Sequence, residues 1–136
     1  MNAAQVLILI LLLVNSVVDL WLKRISLLSL GIYALVWTAV CLTDSNWQII
    51  LPALVPGVLL TLIGYFTKGS IGMGDGFLVF FMGLGISWTC ILAVLMLAFL
   101  LAFCWAVTQW VLYRSGQKSF PFVPFILMGY VVVLIV

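Results

Sequence analysis

The sequence predicts an all-α membrane protein with six transmembrane helices, on three observations. Hydrophobic residues make up 68% of the 136 and charged residues 6%, against about 25% charged in an ordinary soluble domain. The mean hydropathy is +1.46. The few charged residues fall in short breaks between apolar runs, and a spanning helix needs about 20 such apolar residues. A chain of this length holds at most about six spans with minimal loops. No room is left for a soluble domain, so residues 1–136 are read as a single membrane domain.

The first segment, Ala3 to Leu22, is followed rather than preceded by Lys23 and Arg24. A secretory signal carries its basic residues ahead of the apolar core, so this reads as a retained span with its N-terminus outside. The second runs from Leu27 to Leu42 and stops at Thr43-Asp44-Ser45-Asn46. The third, Trp47 to Phe66, contains Pro52 and Pro56, which should kink it or be absorbed by neighbouring helices. Lys68-Gly69-Ser70-Ile71-Gly72 follows. Phe77 to Tyr113 carries no charge, and its length suits two short helices better than one. They are expected at Phe77 to Ile91 and Leu92 to Tyr113, with the break near Ser87 to Cys90. After Arg114-Ser115-Gly116-Gln117-Lys118, the sixth segment occupies Pro121 to Val136.

Charge orients this count. With six spans, Lys23, Arg24, Lys68, Arg114 and Lys118 share one side, which should be cytoplasmic. Asp44 lies on the other, and both termini are outside. Five spans would put Arg114 and Lys118 outside, against the rule. The net charge of +2, with no basic patch, gives no sign of nucleic-acid binding. Cys41, Cys90 and Cys104 form no Cys-x-x-Cys pair and read as buried small hydrophobes.

The same topology brings Asp19 and Asp75 to the cytoplasmic side, while Asp44 cannot join them. An ionisable group at membrane depth usually marks a functional site. Asp19 could instead pair with Lys23 at i,i+4 among the headgroups, but an aspartate near a helix C-terminus opposes the macrodipole. Asn15 and Ser16 also add polar groups deeper on the same helix. Asp75 could be a plain N-cap. Gly69, Gly72, Gly74 and Gly76 argue otherwise, because one cap does not need four glycines; such a cluster lets backbones approach closely. Two close carboxylates do not both ionise readily, so one keeps a proton while the other is charged. Such a pair can activate a water and protonate a leaving amide with no metal or cofactor. With no His in the chain, neither a Ser-His nor a Cys-His arrangement is available.

An Asp ending the first segment with basic residues after it, then Gly72-Met73-Gly74-Asp75, then Pro121-Phe122-Val123-Pro124-Phe125 and Gly129, resembles the type IV prepilin peptidases. These are aspartic membrane proteases that remove leader peptides from prepilins. The resemblance extends from Asp19 to Gly129 and is most specific at Gly-x-Gly-Asp. It implies that Asp19 and Asp75 are the catalytic pair and face the cytoplasm. It also implies that Gly72, Gly74, Lys23, Pro121 and Pro124 belong to the family's motifs or substrate loop. The implied substrate is a prepilin or pseudopilin of a type IV pilus or protein-secretion system, with a short basic leader before an apolar helix. No cofactor is implied, and the lipid bilayer is the other partner. The chain departs from the family at Ile25-Ser26, where Ile-Pro is usual, and at Phe77, where a Lys is common. It has no cytoplasmic loop with Cys-x-x-Cys pairs, so it resembles the minimal, peptidase-only members. Signal-peptide-peptidase-like and presenilin-like enzymes share Gly-x-Gly-Asp but are much longer and pair it with a Tyr-Asp motif absent here. A non-catalytic scaffold or proton-relay protein could also use two intramembrane aspartates.

Overall fold

The computed structural model describes residues 3–22, 27–43, 47–67, 73–113 and 121–136. Lys23, Arg24, Lys68, Arg114 and Lys118, with Asp44 and Gly72, lie outside that set. Among the described residues there are six helices and no strand: α1 Ala3–Leu22, α2 Leu27–Thr43, α3 Trp47–Phe66, α4 Met73–Met82, α5 Trp88–Tyr113 and α6 Val123–Ile135. Apolar runs of this kind favour helices, which satisfy the backbone polar groups within the segment except at its two ends.

The bounds of α1 and α3 are those expected from the sequence. Helix α3 continues through both prolines without a break. The α4–α5 division falls earlier than expected, with α4 starting at Met73 and α5 at Trp88. At the end of α4 the N–H groups of Gly83, Leu84 and Gly85 donate to the carbonyls of Phe80, Phe81 and Met82 at 3.1, 3.2 and 3.0 Å. These three-residue closures wind the helix down. Gly85 lies flat against Trp37 of α2, where a Cβ would come within 2.6 Å of the indole Nε1. Ser87, of a residue type favoured at N-caps, then precedes α5. Helix α6 starts two residues later than expected because Pro124 occupies its first turn, where a missing N–H is tolerated.

Among the described residues two helices are long and apolar enough to cross a membrane: α1 over Ala4–Trp21 and α5 over Trp88–Leu112. The apolar stretches Ile50–Phe66, Met73–Met82 and Val123–Ile135 are shorter.

Helix α4 packs along α3, α6 packs against both α5 and α1, and α2 leans on α1 and α4. The α3–α4 contact is built from small residues. Ala53, Gly57 and Thr61 repeat every four positions on α3 and face Gly83, Phe80 and Gly76 in antiparallel order. A Cβ on Gly57 would overlap the Phe80 backbone, and one on Gly76 would come within 2.5 Å of the Thr61 nitrogen. Small residues at this spacing let helix backbones approach closely. Gly129 plays the same part between α6 and α5, where a Cβ would sit 2.8 Å from the Val94 carbonyl oxygen.

Ile8, Leu12, Leu78, Met82, Ile91 and Ile126 lie among the core residues. In the second half of α5, Phe103, Trp110 and Leu112 are exposed. Cys104 lies on that stretch and is exposed, and Cys90 is half-buried. The expectation that the cysteines are buried is therefore corrected for Cys104, which is exposed although its neighbour Trp105 meets Phe125 of α6.

Candidate active site

On α1 the buried positions Ile8, Leu11, Leu12, Asn15, Ser16 and Asp19 stand at i, i+3, i+4, i+7, i+8 and i+11, which places them on one stripe of the helix. Ile10, Leu13, Val14, Val17 and Trp21 are exposed on the rest of the surface. Asp19 therefore continues the inward face and is 7% exposed. The Asn15 side chain, one turn earlier, is fully buried and donates from Nδ2 to the Leu11 carbonyl at 2.9 Å.

The Asp19 carboxyl meets the start of α6. The Val123 N–H donates to Asp19 Oδ2 at 3.3 Å, joining residues 104 positions apart. Pro121 and Pro124 flank that amide, so the Pro-Phe-x-Pro-Phe segment and Asp19 share one place in the fold. A headgroup pairing of Asp19 with Lys23 rests on a residue outside the described set.

Asp75 is the third residue of α4, in its first turn, and half-buried. It is not the helix's N-cap, so the simple capping reading of Asp75 does not hold. A carboxylate in this turn still benefits from the positive end of the helix. Gly74 is half-buried in the same turn, and Gly72 lies outside the described residues. Gly76, read from the sequence as part of a flexible cluster, is a packing position against Thr61. It allows close backbone approach, as expected, but inside a helix. Asp19 lies within electrostatic reach of Asp75.

Of the expected site residues, Asp19, Asp75, Pro121 and Pro124 are thus brought to one end of the helix assembly. Two contributors were not read from the sequence. The Ala53-x-x-x-Gly57-x-x-x-Thr61 spacing was available there as a small-residue signal. The Val123 amide gave none, because a backbone group carries no residue-type signature. Among the described residues no three His, Cys, Asp or Glu side chains gather into a group that could hold a metal. The arrangement provides two carboxyls, Asp75 within electrostatic reach of Asp19, and Asp19 held by a backbone donor. No protein-family model, curated protein or solved structure matches this chain.

Proposed function

We propose that the chain is a multi-pass membrane aspartic endopeptidase of the prepilin peptidase type, with Asp19 and Asp75 as its catalytic pair. The observation that carries this reading is a half-buried Asp75 opening α4 within electrostatic reach of Asp19, itself buried on the inner face of α1. In the reaction one carboxylate takes a proton from water as its oxygen attacks the scissile carbonyl. The other carboxyl then protonates the leaving amide nitrogen as the C–N bond breaks.

In this proposal six passes put both termini outside and the aspartates near the cytoplasmic face of the inner or plasma membrane, following the placement of the basic residues. Helix α4 has 10 residues and α6 has 13, so they rise about 15 and 20 Å against a hydrocarbon core of about 30 Å. Short apolar stretches are accommodated by local thinning of the bilayer. Thinning at the starts of α4 and α6 would bring water to the two carboxyls. The substrate is a small membrane protein with a short basic leader ahead of an apolar helix.

Co-expression with such a prepilin-like substrate tests the chemistry. The chain should shorten the substrate by its leader, read as a mass shift. Asp19→Asn and Asp75→Asn should each abolish that shift while the protein still inserts, and Asp44→Asn should leave it intact. Near-normal cleavage by either dyad variant would sink the mechanism. Single cysteines introduced at 68 and 118 on a cysteine-free background should be labelled from the cytoplasm, and one at 44 from outside. External labelling at 118 would overturn the six-pass arrangement.

A second reading has one observation in its favour: the Val123–Asp19 hydrogen bond also suits a scaffold in which Asp19 caps α6. In that case Asp19→Asn would lower stability with no product to lose.

A further inference from the structure

Helix α6 opens in an unusual way. Its N-cap residue is Phe122, whose side chain makes no capping bond. The amides of a helix's first turn have no partner within the helix. Here Pro124 has no N–H at all, and Phe125 turns its N–H back to the Phe122 carbonyl at 3.0 Å. Ile126 donates to that same carbonyl at 3.3 Å. The Val123 N–H is left to point away from its own helix, and it meets Asp19 Oδ2. An acceptor from a different helix thus takes the place of a local cap.

That amide is also held in position from several sides. Gly129 fits α6 against the Val94 carbonyl of α5. The Tyr130 hydroxyl donates to the Gln5 carbonyl of α1 at 3.1 Å. The Phe122 ring lies 5.1 Å from Phe99 and the Phe125 ring 6.4 Å from Trp105, centroid to centroid. Val123 itself is fully buried. Shape, a hydrogen bond and ring contacts fix this helix start before any substrate arrives. Among the described residues Asp19 Oδ1 accepts no hydrogen bond.

We propose that the start of α6 is a positioning element for Asp19: the Val123 amide fixes the carboxyl through Oδ2, leaving Oδ1 as the oxygen that faces the reacting water. Val123 acts through Asp19 and touches no reacting atom. Pro124 serves by silencing the neighbouring amide, so that one donor rather than two addresses the carboxyl. This deepens the peptidase reading and rests on it for the word water; the positioning itself does not need it. Preorganised supports of this kind hold a catalytic group within a fraction of an ångström of its working geometry.

The test replaces the Val123 amide by an ester, with 2-hydroxyisovaleric acid at position 123 of the full chain. This removes the N–H and keeps the side chain. The same exchange at Ile126, whose N–H bonds within α6, is the control for loss of a helix amide. The infrared band of the Asp19 carboxyl, isolated as the difference between wild type and Asp19→Asn, should move in the 123 ester and stay in the 126 ester. Cleavage of the prepilin-like substrate should fall about tenfold in kcat at unchanged KM in the 123 ester alone, as expected for one lost charge-assisted hydrogen bond. An unmoved band in the 123 ester overturns the positioning role, whatever the protein cleaves. A moved band in the 123 ester, with a wild-type chain that cleaves nothing, keeps the positioning role and removes the peptidase reading.

Discussion

Between α3 and α4 the closest approaches lie at Gly57, Gly76 and Gly83, where any added Cβ would run into the facing backbone. Between α1 and α6 the named links are hydrogen bonds instead, from Val123 to Asp19 and from Tyr130 to the Gln5 carbonyl. Each pair carries one of the two aspartates. Asp75 is one residue from a glycine seated on Thr61, so its position is set by how closely two backbones can approach. Asp19 is set by a donor on another helix. Helices can associate through close packing of small residues or through interhelical polar contacts. The two halves of this molecule use these two means separately, and they should fail differently.

The steric side should give the larger losses. Gly57→Ala places a methyl group inside the Phe80 backbone, and a backbone cannot rotate away as a side chain can. Forced separation of packed groups costs about 1–3 kcal/mol, which outweighs the gain of about 1 kcal/mol that Ala brings to a helix interior. Unfolding of the purified protein in mixed micelles should therefore show a clear loss of stability, with Gly83→Ala behaving alike against Ala53. Wild-type stability in Gly57→Ala would mean that the two helices are not held in this register.

Little of that distinction could be read along the chain, for definite reasons. The charged and polar breaks after Leu22 and Thr43 mark helix ends because they interrupt apolar runs in the sequence, so α1 and the start of α3 are legible. The α4–α5 turn lies earlier than its polar mark, Ser87, because Leu84 and Ile86 make most of it apolar and only Gly83 and Gly85 signal its start. Those glycines matter through what they touch, Ala53 and Trp37, and neither neighbour is adjacent in sequence. Asp19 and Asp75 stood out as rare carboxyls in an apolar chain. The inward stripe of α1 was partly legible in the polar Asn15, Ser16 and Asp19, but not the amide that Asp19 meets. Cys104 is exposed because burial depends on which side of a helix faces its neighbours, which composition does not encode.

The hydrogen-bonded side should respond less. Tyr130→Phe keeps the ring in the core and removes only the hydroxyl that reaches the Gln5 carbonyl. Interhelical bonds of this kind average about 0.6 kcal/mol in membranes. The same micelle unfolding should thus register a small loss, below that of Gly57→Ala. A loss equal to or larger than the glycine variant's would show that α1 and α6 depend on their polar contacts more than α3 and α4 depend on shape.

Gly31 sharpens the comparison because the same substitution should there change sign. It lies on the exposed surface of α2, and a Cβ built on it meets nothing within 4 Å. Only the backbone then decides. A helical glycine forfeits conformational entropy in folding that alanine does not, and Gly→Ala at an unstrained position stabilises by about 0.4–1 kcal/mol. Gly31→Ala should accordingly raise stability slightly in the assay where Gly57→Ala lowers it. The two variants add the same methyl group to a helix, so intrinsic propensity cancels between them and the difference isolates the facing backbone. If both lower stability equally, the loss comes from glycine's own part in these helices and not from the α3–α4 contact. The steric account of how Asp75 is placed would then have to be given up.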